Sequence, residues 1–112
     1  MTQNRNKLLD LLIGNLSNSI VHSILEKSYD LHKDKYKKES ISSLQKSIIY
    51  RSKINPLNKP LPDTDIEYIK SKLKNKITSE LLKRIALNYT NINLSLIDIE
   101  IDFALKKLNI TE

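Results

Sequence analysis

The chain has 112 residues, a formal net charge of +6, no cysteine and a single glycine. That length suits one domain burying roughly two-thirds of its unfolded surface, and the lack of cysteine excludes disulfides, thiolate chemistry and thiolate metal sites. One glycine also excludes a P-loop, a dinucleotide-binding turn and a nucleophile elbow as usually built, since each needs several glycines for close backbone approach.

The apolar content is almost entirely Leu and Ile with one Val. Strand formers other than Ile are therefore scarce, and hairpin turns lack their usual glycine. The expected fold is all-α, a single-domain bundle of four to five helices over residues 1–112. From Asn4 to Lys27 apolar residues recur at helical spacing, Leu9, Leu12, Leu16, Ile20 and Ile24, which predicts an amphipathic helix. Arg5 and Lys7 ahead of this run imitate a secretion signal, but Asp10 interrupts it and no small-residue cleavage site follows. No apolar run is expected to reach the roughly 20 residues that cross a bilayer, so a cytoplasmic location is expected. Gly14 lies inside this helix, costs about 1 kcal/mol relative to Ala, and is expected to admit a close neighbour. Asn15, Ser17, Asn18 and His22 form an uncharged face suited to lying near other protein.

From Ser28 to Lys38 the pattern breaks up, and a loop or frayed turn is expected. Helical period resumes at Ile41, Leu44, Ile48 and Ile49, predicting a second helix over 35–51 with Lys37, Lys38, Lys46 and Arg51 on its wet side. Residues 55–62, with Pro56, Pro60 and Pro62, form a connector that cannot be helical. Thr64 and Glu67 then stand in capping-box spacing, with Asp63 and Asp65 adding charge suited to a helix N-terminus. The stripe Ile66, Ile69, Leu73, Ile77, Leu81 and Ile85 holds to Tyr89. Thr78, Ser79 and Glu80 resemble a new start, so two helices are expected there. In the last segment Ile97, Ile99, Ile101, Phe103 and Leu105 alternate like a strand, while Leu94, Ile97, Ile101, Leu105 and Leu108 make a helical stripe. A helix is expected, because a lone strand would leave its backbone groups unpaired and Ser95 with Asp98 can cap it.

Charge is unevenly placed along this framework. Residues 1–26 balance Arg5 and Lys7 against Asp10 and Glu26, and residues 91–112 set Lys106 and Lys107 against Asp98, Glu100, Asp102 and Glu112. The surplus, +8, therefore lies wholly between them. An AT-rich genome also enriches Lys, Asn and Ile, but such drift has no reason to respect those boundaries. A concentrated positive field in a small protein points to a polyanion, most often nucleic acid. Candidate phosphate contacts are Lys37, Lys38, Lys46, Arg51, Lys53, Lys72, Lys76, Lys83 and Arg84. Lys70, Lys72, Lys74 and Lys76 wind around a helix, so only some can face one groove. Lysine predominates over arginine, which suits point-charge contact to phosphate rather than bidentate reading of guanine. Tyr36, Tyr50 and Tyr68 lie among these cations and can stack on bases, though each also fits a half-buried bundle position.

His22, Glu26 and Asp30 stand at four-residue steps that can ligate a metal, but no second helix offers a His partner, and a solvated face is expected. Asp30, His32 and Asp34 would point apart on a helix. No catalytic residue, metal or other cofactor is expected. A helix-turn-helix reading of residues 79–108 fails on chemistry, since Asp98, Glu100 and Asp102 on the second helix would be repelled by phosphates.

A short, glycine-poor helical chain with a basic centre and no catalytic apparatus resembles the small subunits of CRISPR surveillance complexes in overall character. The resemblance implies a bundle that packs beside copies of itself along a guide RNA and target, holding the displaced strand through lysines. The expected function is thus a non-catalytic, sequence-independent nucleic-acid-binding subunit of a ribonucleoprotein complex, partnered by other protein subunits and not by a membrane. The alternative is a protein-interaction adaptor or inhibitor-like module acting through the acidic, apolar C-terminal helix.

Overall fold

The computed structural model describes residues 5–29, 31–56, 58–87 and 91–111. Asn4, Asp30, Leu57, Tyr89 and Glu112, to which the sequence assigns helix ends, a candidate ligand, a connector position and tail charge, lie outside the described residues. Among those described there are four helices and no strand: α1 (Arg5–Ser28), α2 (Lys33–Ile54), α3 (Asp63–Ala86) and α4 (Leu96–Lys107). The fold is all-α.

The bounds of α2 and α3 differ from those the sequence predicts. Residues 63–86 form one helix, not two. Ile69, Leu73, Ile77 and Leu81 are all fully buried, and a break at Thr78 and Ser79 would turn Leu81 away from the core. The start of α3 is set by Pro62, which occupies the N-cap position without a side-chain cap, so Thr64 lies inside the first turn and the capping box does not form. Proline supplies the fixed φ there, and Asp63 and Asp65 supply negative charge beside the exposed amide ends. α2 begins at Lys33, inside the expected loop, just after His32 adopts the left-handed conformation (φ 65°).

α1 is the hub. It packs against α2, α3 and α4; α3 and α4 touch each other, whereas α2 touches no other helix among the described residues. The reason is legible in its side chains: Leu8, Leu9, Leu12, Ile13, Leu16, Ile20, Val21, Ile24 and Leu25 are all buried and surround most of the helix axis. A helix apolar on several sides needs several neighbours to cover it. By length and composition α1 is also apolar enough to cross a membrane, contrary to the expectation of short runs, but eleven of its 24 residues are buried inside the protein. Contact pairs give the directions. Asn18 with Ser43 and His22 with Glu39 set α2 antiparallel to α1, and Arg5 with Asp65 and Asp10 with Tyr68 set α3 parallel to it.

The core is made by α1, α3 and α4 with Leu61, Leu108 and Ile110, and no apolar side chain of α2 is fully buried. Instead α2 turns Ser43, Ser47 and Arg51 inward and leaves Ile41, Ile48 and Ile49 outside. Its seam with α1 is polar: Ser19 Oγ donates to Ser40 O (2.8 Å), Ser40 Oγ donates to Ser19 O (2.8 Å), and Asn18 Nδ2 donates to Ser43 Oγ (2.6 Å). Serines permit close approach of the two backbones, and the reciprocal bonds satisfy the hydroxyls that approach buries.

Arg51, expected on the wet side of α2, is instead completely buried. Its guanidinium donates to Asn55 Oδ1, Lys59 O (2.6 Å) and Asn109 O (2.9 Å), tying the end of α2 to the connector and to the segment after α4. That segment closes α4 with a Schellman turn. Asn109 takes the left-handed conformation (φ 53°), Ile110 N–H donates to Leu105 O (2.8 Å) and Asn109 N–H to Lys106 O (3.0 Å). Ile110 and Leu105 are both fully buried, and Ile110 O accepts from Leu61 N–H (3.2 Å), so the connector and the C-terminus form one knot around Arg51. Burial moves the Arg51 guanidinium below its ordinary pKa by desolvation.

Replacing Arg51 with Ala strands two carbonyls that it satisfies, a loss of roughly 3 kcal/mol at the scale of charged hydrogen bonds. Arg51→Lys is expected to recover little of this, because an ammonium cannot span the fork that reaches both oxygens. Urea unfolding of the two variants against the parent chain measures the difference.

Candidate nucleic-acid interface

The alternating lysines of α3 sort onto two faces. Lys70 and Lys74 face α4, where Lys74 Nζ lies 3.3 Å from Asp98 Oδ1 and Glu67 and Asp102 line the same cleft. Lys72, Lys76 and Lys83 face the other way, onto an open groove of about 660 Å³. The floor of that groove is the exposed strip of α1, Gly14, Ser17 and Asn18. Spacing of four and seven residues puts the three ammonium groups on one line along α3, while neutral hydroxyl and amide groups face them from α1.

Glu80 is the one carboxylate lining the groove among the described residues, and its Oε1 lies 3.4 Å from Arg84 Nε. Three lysines against a carboxylate that already has a cation leave the groove positive. A Cβ built on Gly14 would meet nothing within 4 Å. The expected close neighbour is therefore absent, and the space beside Gly14 belongs to the open groove.

Of the nine candidate cations, the structure brings Lys72, Lys76 and Lys83 together. Lys46 is exposed one turn beyond Ser43, on the edge of α2 that borders the Asn18 side of the groove, and Lys53 follows two turns further on, its ammonium 5.6 Å from the Tyr50 ring centroid. Lys37 and Lys38 are exposed on other faces of α2. Arg84 is half-buried beside Glu80, and Arg51 is inside the protein, so neither belongs to the basic surface. Because α1 separates α2 from α3, the two basic helices do not join into one continuous face. They flank a neutral strip instead. Ser17 and Asn18 belong to the uncharged face of α1 expected to lie near other protein. Asn18 does bond α2 through Ser43, but Ser17 lines the groove.

The tyrosines divide similarly. Tyr36 packs at the core edge with its ring centroid 6.1 Å from that of His22, and Tyr50 is also half-buried. Tyr68 is exposed, with Lys72 Nζ 5.8 Å from its ring centroid. Its hydroxyl donates to Asp10 Oδ1 (2.9 Å), and that bond, with some desolvation and the nearby negative charge, raises the phenol above its ordinary pKa.

His22, expected on a solvated face with Glu26 and Asp30, is instead buried, and Asp30 lies outside the described residues. The His22 Nδ1 donates to Asn18 O (2.8 Å) within α1, and its Nε2 lies 3.1 Å from Glu39 Oε2 of α2, so both ring nitrogens are engaged and one of them ties α2 to α1. Among the described residues no group of three or more His, Asp or Glu side chains converges as a metal site. Of the acidic residues of α4, Glu100 is buried and bonded to Lys27 and to Ser23 Oγ (3.3 Å), whereas Asp98, paired with Lys74 at the surface, and Asp102 are exposed. Comparison with protein-family models, curated proteins and solved structures finds no match to this chain.

The Asp10 bond stabilises the neutral Tyr68 phenol, so its contribution is present at neutral pH and lost as pH rises through the raised pKa. Ultraviolet titration of the tyrosines is expected to show one phenol ionising late, absent in Tyr68→Phe and returned toward the ordinary range in Asp10→Asn.

Proposed function

We propose that the protein is a non-catalytic nucleic-acid-binding subunit that holds a phosphate backbone in the groove between α1 and α3. The reading rests on one observation, the convergence of Lys72, Lys76 and Lys83 on an open groove with an uncharged floor. Three lysines on one line suit successive phosphates, while Ser17, Asn18, Asn75 and Ser79 offer donors and acceptors without repelling charge. Lysine point charges favour backbone contact over base reading. Affinity then arises from counterion release and depends on salt more than on sequence. Placement in a cytoplasmic ribonucleoprotein complex, as the resemblance to CRISPR small subunits implies, belongs to the same proposal, and purification from the native host with its bound RNA and proteins tests it.

Fluorescence anisotropy with single-stranded oligothymidylate over a salt series measures the groove directly. Three phosphates neutralised on a single strand give a slope of log K against log salt of about −2, and each lysine removed reduces its magnitude by about 0.7. Lys72→Glu with Lys76→Glu is expected to abolish binding with helical content unchanged; affinity indifferent to ionic strength refutes the proposal. Gly14 separates fold from function. Gly14→Ala is expected to stabilise the helix by about 1 kcal/mol, whereas Gly14→Phe, whose ring enters the groove, is expected to weaken binding while the chain stays folded.

A further inference from the structure

A second cleft lies on the opposite side of α1, between α2 and α4. Its floor includes Ser19 and Ser23, half a helical turn away from the Gly14 and Asn18 strip, and its walls are Ser40 and Leu44 of α2 and Phe103 and Ala104 of α4. Leu44 continues outward along α2 as a ridge of Ile41 and Ile48, 47% and 39% exposed, and Phe103 is 66% exposed. These apolar groups are contiguous, which distinguishes them from the scattered exposed apolar residues of any surface. They result from the inversion of α2, which spends its serines on the seam with α1 and leaves its isoleucines outside.

Lysines border this patch, with one exposed carboxylate, Asp34, two turns before Ile41 at its far end. Lys37 lies on the same edge of α2 as Ile41 and Ile48, Lys107 lines the cleft itself, and Lys106 and Lys38 follow on the outer faces of α4 and α2. The carboxylate in the cleft, Glu100, is already bonded to Lys27. The cleft is concave, with a volume of about 80 Å³, room for one apolar side chain, and a concave seat between two ridges suits a protein helix rather than a flat lipid surface. We infer that the α2–α4 cleft docks an acidic amphipathic helix of another protein, one apolar side chain entering beside Leu44 and Phe103 while its carboxylates meet Lys37 and Lys107. Helix-in-groove recognition of this kind reads anchors at i, i+3, i+4 and i+7. Because the two clefts lie on opposite sides of α1, a bound strand and a bound helix do not compete.

Selection from a displayed library of helical peptides with random surface charge tests this with the whole chain as bait. Enrichment of acidic peptides carrying that apolar spacing is expected, with affinity falling about tenfold or more in Phe103→Glu or Ile48→Glu, the effect of losing a central anchor. Both residues are exposed, so circular dichroism and oligothymidylate binding are expected to stay at parental values. Charge reversal by Lys37→Glu with Lys107→Glu is expected to weaken acidic peptides and spare neutral ones. Enrichment of neutral or basic peptides, binding insensitive to Phe103→Glu, or no enrichment overturns the inference. So does co-sedimentation with phosphatidylserine-containing vesicles that Ile48→Glu abolishes, which assigns the patch to lipid, or a dimer by light scattering that Phe103→Glu dissolves, which assigns it to a second copy.

Discussion

Everything in this fold follows from α1 having too many apolar sides. A helix with Leu12, Ile13, Leu16, Ile20, Ile24 and Leu25 all buried cannot be satisfied by one partner or by a narrow two-helix seam, so three helices gather around it. What they leave uncovered is the short polar strip of Gly14, Ser17 and Asn18, and that strip becomes a groove because the helices on either side stand proud of it. The distribution of charge is then a matter of register. On α3 the residues facing α1 are fixed by Ile69, Leu73, Ile77 and Leu81, and with those fixed, Lys72, Lys76 and Lys83 have only the groove to face.

The position of α2 depends on a different kind of contact. Its seam with α1 is built from serine hydroxyls and the His22 and Glu39 pair, with Tyr36, Leu44, Tyr50 and Ile54 packed half-buried against the core, and the buried Arg51 fixes its end. Such a seam demands geometric fit, since each buried polar group without a partner is costly. Arg51 is the clearest instance. Its neutral oxygen acceptors come from the helix end, the connector and the C-terminal turn, so it joins three segments far apart in sequence and makes the position of α2 depend on the closure of α4.

Much of the helical framework is legible in the sequence. The apolar stripes of α1 and α3 and the proline connector all appear as spacing alone, and the last segment is a helix as expected with no strand among the described residues to pair with it, although Ser95 makes no capping bond and its hydroxyl turns to Asn93 Oδ1 (2.6 Å) instead. The inward face of α2 was not legible. Ile41, Ile48 and Ile49 carry the apolar period that ordinarily marks a core face, yet the small serines approach α1 more closely, and no rule of periodicity anticipates a buried Arg51. The same limit governs the site. Periodicity shows that Lys70, Lys72, Lys74 and Lys76 cannot all face one way, and which pair faces the groove follows from the side of α3 that α1 occupies. The partners of the acidic last segment are hidden for a related reason: Glu100 and Asp98 meet Lys27 and Lys74, from other helices, and pairing across such distances in sequence leaves no local trace.

The central claim is that α1 and α3 concentrate cations on one groove rather than spreading them over the molecule. Amide chemical-shift mapping during titration with single-stranded oligothymidylate addresses it residue by residue. The account requires the largest shifts at Gly14, Asn18, Lys72, Lys76 and Lys83, with Lys37, Lys38, Lys70 and Lys74 nearly still. Shifts of equal size at lysines on every face would contradict it, leaving diffuse attraction in place of a site.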